Sequence, residues 1–308
     1  MFSEKPPIMP MHRLAQVTLI AVFAVMMPAL SAQEPAGQIS FTDNFTPAPS
    51  FLWNGNNGFW ASTAGRYYAQ VPNDDPLTYT ALPFVLTDYT LTVTTVVGDG
   101  GIWVRSDQDN PYGHYILLVI GGDNYGQGAR GGEAGTSLYF ATASEGANQI
   151  YNVFKPGETY KITVIAKGSR YSVYINDSPL PVDTFADDTF LYGQVGLYDD
   201  QPNTITGSGF GALTTFTNFR LSGTAVPPSV ELFTPESGNV GAGVKLRGRN
   251  LQLATAVSFN GVPAKFFQDY PGTEIVATVP ASATTGPIEI VTPIGTAISR
   301  TDFIVTGP

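Results

Sequence analysis

Hydrolysis of a glycosidic bond usually needs two carboxyl groups facing each other across it, one of them with a raised pKa. In this 308-residue chain Asp107 and Asp109 stand two apart and would share one face of a strand. The Asn110-Pro111 that follows marks a loop instead. Glu133, Glu145 and Glu158 are separated along the chain and fall in predicted loops. Hard cations want several oxygens from one flexible loop, and Asp107-Gln-Asp-Asn110 supplies them in the manner Ca²⁺ takes. Asp199-Asp200 and Asp187-Asp188 offer the same chemistry, so Asp107, Asp109, Asp199 and Asp200 are the candidate metal ligands. No Asp-x-Asp-x-Asp-Gly loop completes such a set, and solvated acidic turns are the competing reading.

His114 is one of two histidines, the other being His12 near the start of the chain. A lone imidazole cannot build a histidine metal site, but it can act as a general base or contact a sugar. No Gly-x-Ser-x-Gly elbow supports a Ser-His-Asp triad. The glycine-dense stretch Gly121–Gly135 lacks Gly-Lys-Ser/Thr and opens no helix, so the nucleotide reading fails. It reads instead as a loop over a sheet face.

The aromatic residues suggest a different chemistry. Sugars present C–H faces that stack on flat rings, and Asn side chains supply paired donors and acceptors for hydroxyls. Trp53-Asn-Gly-Asn-Asn-Gly-Phe-Trp60 brings both within eight residues, so Trp53, Trp60, Asn54 and Asn57 make a candidate glycan platform. Tyr112 and Tyr115, flanking His114, join them as candidate ligand-binding residues. The competing reading buries both tryptophans in a core and leaves the asparagines in turns.

The elements that must position these residues are β-strands. Charged residues are 13% of the chain while Gly and Pro number 33 and 24, a composition of short strands and tight turns. Thr90-Leu-Thr-Val-Thr94 alternates as a strand with one solvated face must. Further strands are predicted over 89–97, 101–105, 115–120, 137–141, 159–166, 171–175, 193–198 and 211–221. Lys167-Gly168-Ser169 reads as a hairpin turn between two of them. No stretch beyond the first 32 residues carries a 3.6-residue apolar period, so almost no helix is expected.

The net charge is −10, and it disfavours nucleic acid and anionic lipid as partners. There is no cysteine, which removes disulfides, thiolate metal sites and thiol nucleophiles together. Lys5, His12 and Arg13 precede an apolar run from Leu14 to Leu30, with small residues at Ala29 and Ser31. Residues 1–32 therefore read as an export signal, leaving a secreted, periplasmic or cell-surface protein with no membrane segment after its removal. Three further regions follow: a sandwich over 33–222, a linker over 223–229 and a second β domain over 230–308.

Two family resemblances sharpen this outline. Val244-Lys-Leu-Arg-Gly-Arg-Asn-Leu251, Val257-Ser-Phe-Asn-Gly-Val-Pro-Ala264 and Thr285-Gly-Pro-Ile-Glu-Ile290 occur in the order of an IPT/TIG immunoglobulin-like module. That resemblance implies a non-catalytic spacer or binding unit, with Gly248 and Gly286 at strand-end turns. Gly100-Gly-Ile-Trp-Val-Arg105, Gly157-Glu-Thr-Tyr-Lys-Ile162 and Gly193-Gln-Val-Gly-Leu-Tyr198 resemble the concanavalin A-like lectin/glucanase jelly roll. The branch it is most similar to is the 3-keto-disaccharide hydrolase domains. The Glu-x-Asp-x-Glu pattern of the glucanases has no counterpart here. The expectation is thus an all-β protein that binds glycan on the concave face of its first sandwich. Two alternatives stay open: a 3-keto-glycoside hydrolase or lyase using Arg105, His114 and Asp107 as cation, base and orienter, and a structural or adhesive surface component. No cofactor is expected beyond the possible Ca²⁺.

Overall fold

Leu91 and Val93 are buried while Thr90, Thr92 and Thr94 face outward, so the alternation in the sequence becomes the two faces of a strand. The structure, a computed structural model, describes residues 37–55, 58–72, 78–107, 113, 115–121, 136–142, 146–199, 213–269 and 274–307.

The first sandwich begins with β1 (Gln38–Asp43), β2 (Asn54–Gly55), β3 (Trp60–Thr63), β4 (Arg66–Ala69), β5 (Thr78–Ala81), β6 (Leu86–Val96), β7 (Gly100–Ser106) and β8 (Tyr115–Ile120). It continues through β9 (Leu138–Thr142), β10 (Gly146–Ile150), β11 (Thr159–Lys167), β12 (Arg170–Ile175), β13 (Asp183–Ala186), β14 (Gln194–Asp199) and β15 (Thr215–Ala225). One sheet runs β13-β12-β11-β6-β15-β4-β3, with β1 also paired to β15. The facing sheet is seven-stranded and runs β10-β9-β8-β7-β14-β5-β2. Leu91, Val93, Val164 and Phe216 from the first meet Ile102, Val104, Leu118 and Phe140 from the second in one continuous core.

The second sandwich follows as β16 (Ser229–Thr234), β17 (Ser237–Gly238), β18 (Gly243–Arg249), β19 (Ala256–Phe259), β20 (Val262–Ala264), β21 (Phe266–Asp269), β22 (Glu274–Thr278), β23 (Ile288–Thr292), β24 (Gly295–Ile298) and β25 (Ile304–Val305). Sheets β16-β18-β22-β21 and β20-β19-β23-β24 enclose Leu246, Val257, Phe259, Ile275, Ile288 and Ile290. Asn260-Gly261 closes the β19–β20 hairpin with φ of 45° and 79°, the double positive values of a type I′ turn. Gly248 lies inside β18 rather than at a strand-end turn, beside a register shift in β16.

β15 takes in Gly223–Ala225, at the head of the expected linker, so only Val226-Pro227-Pro228 separates it from β16. Both sandwiches fall within one compact unit. Asn250, fully buried and left-handed at φ 53°, accepts from the Val85 N–H (2.9 Å) and donates to the carbonyls of Val85 (3.1 Å) and Val226 (2.7 Å). Gln252 donates to the Pro83 carbonyl at 2.8 Å, and Ile294 is buried with the first core. Among the described residues there is no α-helix, only a 3₁₀ turn at Leu251–Leu253. No described helix is long and apolar enough to cross a membrane.

Candidate functional site

The two sheets of the first sandwich differ on their outer faces. The β6 sheet presents threonines, whereas Tyr79, Trp103, Leu117, Val119 and Tyr198 form a buried layer on the outside of the seven-stranded sheet, with Tyr115 and Tyr139 half-buried at its margin. Strands that carry apolar side chains on both faces read as uninterrupted runs, as Tyr115-Ile-Leu-Leu-Val-Ile120 does.

Trp103 sits mid-strand on β7, the central strand of this sheet. Its ring lies 4.2 Å from that of Tyr79, two strands away on β5, and meets Tyr115 edge-on at 5.5 Å. The strand between β7 and β5 is β14, where Gly196 pairs with both Trp103 and Ala81. A Cβ there would come within 2.3 Å of the Thr80 carbonyl oxygen, so its absence lets β14 and β5 pair closely between the two rings. Gly101 leaves room for Tyr198, whose ring a Cβ would approach to 2.8 Å. The indole N–H of Trp103 is buried and meets no acceptor among the described residues. A buried donor left unpaired costs about 1–3 kcal/mol, a cost that the packing of this layer has to offset.

The expected platform is elsewhere. Trp53 is 4% exposed and belongs to the core, packed against Phe219 at 4.9 Å and donating to Asp43 Oδ2 at 2.9 Å. Asp43 also accepts from the backbone N–H groups of Phe45 and Ser50 (both 2.7 Å), which fixes the loop that carries Trp53. Trp60, on edge strand β3, is half-buried against Tyr67 at 5.1 Å. Both tryptophans thus converge on Tyr67, Trp53 inside the core and Trp60 half-buried against its edge. Asn54 pairs through its backbone with Ala81 in β5; its side chain and Asn57, Tyr112, His114, Asp109 and Asp200 lie outside the described residues.

Arg105 is corrected as well. A register shift between Trp103 and Arg105 in the β7–β8 pairing changes the phase of the strand, so that Val104 and Arg105 both point inward. The guanidinium is fully buried and donates to the carbonyls of Thr87 (2.6 Å), Phe190 (2.7 Å) and Gly168 (3.0 Å), with Cζ 5.3 Å from the Tyr171 ring centroid. Thr87 and Gly168 belong to the opposite sheet, so Arg105 ties the two sheets together and presents no charge to a substrate.

Burial pushes the Tyr171 hydroxyl up to about 12; the Arg105 charge opposes this and Asp187 adds to it. Tyr89, whose hydroxyl donates to the Val104 carbonyl at 2.5 Å, is likewise raised well above its ordinary value by burial, again against Arg105. A phenol raised above its unfolded value of 10.0 stabilises the fold fully below pH 10, and that contribution disappears as pH climbs toward about 12. Urea midpoints should therefore fall between pH 10 and 12, with a shallower fall in Tyr171→Phe, where only Tyr89 still contributes. Parallel curves for the two proteins would contradict this.

Asp107 is half-buried just past the end of β7, whereas Asp199 is fully buried at the end of β14 that pairs with Gly100. They stand at opposite ends of the sheet, roughly 20 Å apart by strand rise, and cannot share an ion. Among the described residues no three metal-ligating side chains gather. Glu158 is exposed and pairs with Lys155 at 3.7 Å; Glu133 and Glu145 lie outside the described residues.

No protein-family model and no curated protein matches the chain. Among solved structures, a carbohydrate-binding module of family 66 from Bacillus subtilis is 16% identical, covering 56% of this chain and 93% of that one, with a TM-score of 0.38. A basic winged bean lectin bound to Tn-antigen is 10% identical over 61% of this chain and 99% of its own, at a TM-score of 0.44. A Bacillus licheniformis β-glucanase is also 10% identical, over 60% and 98%, at 0.39. At these identities and TM-scores the likeness assigns neither ligand nor activity to this chain.

Proposed function

We propose that this protein is an exported, non-catalytic glycan-binding protein whose binding surface is the outer face of the seven-stranded sheet. The observation that carries the reading is the aromatic layer around Trp103 on the outer side of this sheet. Flat rings suit the C–H faces of sugars, and tyrosine hydroxyls can pair with theirs. Tyr115 and Tyr139, half-buried at the margin, supply the accessible rings. The burial of Arg105 takes away the cation on which the 3-keto-glycoside alternative depended. The second sandwich is read as an IPT/TIG immunoglobulin-like module, on the β19–β20 hairpin and the sequence blocks around it.

The test is retention of the purified chain on a panel of immobilised polysaccharides, with and without a chelator, while released sugar is followed. Retention without product is expected, weakened about tenfold by Tyr115→Ala or Tyr139→Ala, the loss of one stacking contact plus its burial. Loss on chelation adds Ca²⁺ to the site. Product release, or retention indifferent to both tyrosines, refutes the reading. Export is tested on the same protein made from the full gene: recovery outside the cytoplasm with Ala32 or Gln33 as first residue is expected.

A further inference from the structure

The sandwiches leave a cleft of about 840 Å³ where they meet, walled by the 188–193 segment on one side and by β16, β18 and the start of β22 on the other. Its chemistry comes from both. Tyr192 of the first sandwich is 43% exposed, and Arg249 of the second lies over its ring at 5.1 Å. Arg249 is held in turn by Glu231 at 3.0 Å, and Arg247 by Glu274. Such pairs present a fixed carboxylate beside a fixed guanidinium, the acceptor and donor that adjacent sugar hydroxyls require.

The charge of the lining narrows the ligand. Asp107 and Asp188 join Glu231 and Glu274, so four carboxylates face the two guanidiniums, a balance of −2. A uronate, sulfate or phosphate would be repelled, whereas an uncharged sugar would not. The hydrophobic part of the lining, Leu191 at 56% and Leu232 at 54% exposure, flanks these polar pairs.

The cleft also adjoins the aromatic face. Ser106, the last residue of β7, pairs with Tyr115 in the sheet and lines the cleft, and its hydroxyl is buried without a hydrogen-bond partner among the described residues. We infer that the cleft takes the units of a neutral glycan that extend past Tyr115, which makes the second sandwich part of the binding site. The inference rests on the aromatic face being the primary glycan site.

Calorimetric titration of the full chain with neutral gluco-, manno- and xylo-oligosaccharides, short and long, with oligogalacturonides as the acidic arm, tests it. The expected result is tighter binding of octasaccharides than of disaccharides, and no binding of the acidic series. Tyr192→Ala should weaken octasaccharide binding about tenfold and leave disaccharides unchanged; Glu231→Gln, which keeps the side-chain volume, should act in the same direction. Tyr115→Ala should weaken both lengths, and unchanged melting temperatures show that all three variants are folded. Octasaccharide affinity unaltered by Tyr192→Ala overturns the cleft while the face stands, provided Tyr115→Ala still weakens both. The reverse pattern, with Tyr192 essential and Tyr115 indifferent, overturns the face instead. Failure of every neutral oligosaccharide to bind overturns both.

Discussion

Replacing Arg105 with lysine should cost about 3 kcal/mol of folding stability even though the charge is kept, because a point-like ammonium cannot serve three carbonyls arranged around a planar fork. The guanidinium reaches Phe190, Thr87 and Gly168 at once and lies against Tyr171. A lysine would keep one of those bonds, or two with strain, and would leave the other carbonyls buried without a donor. Alanine should cost more, about 5 kcal/mol, since it adds a cavity between the sheets and takes this donor from the Thr87 and Gly168 carbonyls, leaving Phe190 only the Tyr171 hydroxyl at 3.5 Å. Urea denaturation at neutral pH reads both values. Arg105→Lys unfolding at the parent midpoint would return Arg105 to the candidates for chemistry. Glycan retention should survive in whatever fraction of Arg105→Lys is folded, since the side chain points away from the aromatic face.

The second large effect is expected at Asn250. Its side chain satisfies both backbone groups of Val85 and the carbonyl of Val226, and its own backbone is left-handed. Asn250→Ala should lose about 3 kcal/mol, combining the Val85 N–H and the Val226 carbonyl left unpaired with a conformation that alanine resists, while the Val85 carbonyl keeps the Val226 N–H at 3.0 Å. Asn250→Gly relieves the backbone and should lose about 1 kcal/mol less. The difference between the two variants isolates the conformational part. Both should also make the 226–228 connector more open to proteases, because the junction then keeps chiefly the Gln252 bond, the Val226 N–H to Val85 carbonyl bond, the Arg249–Tyr192 contact and the packing of Ile294. Equal midpoints for parent and Asn250→Ala, with no new cleavage, would show that the junction is held by something else.

What the sequence discloses and what it hides follow from the range of the interactions involved. Strands are legible because alternation and turn chemistry are local: Thr90–Thr94 and Asn260-Gly261 declare themselves within a few residues. The tryptophans mislead for the opposite reason. Gly and Asn neighbours suggest that Trp53 stands in an open polar stretch, but its burial depends on Asp43 and Phe219, which no local pattern reveals. Arg105 follows Trp103 and Val104 in what reads as ordinary alternation, and only the register shift turns it inward. Trp103 was hidden by its surroundings: in a strand apolar on both faces, periodicity cannot distinguish a core ring from one on the outer face. The signal available was the pair of glycines, Gly101 and Gly196, in the same two strands. Asn250 and Val85 lie 165 positions apart, beyond the reach of any spacing rule.

The course of β15 has a mechanical consequence. It is bonded to β6 along one side and to β1 and β4 along the other, and three residues after its end the chain enters the second sandwich. Tension applied at the C-terminal sandwich therefore runs along the axis of β15 and loads its rungs in shear, many together, where a strand pulled from its edge would unzip one rung at a time. If the chain anchors a surface to a polymer, its strongest direction under load is the one in which its two halves are joined.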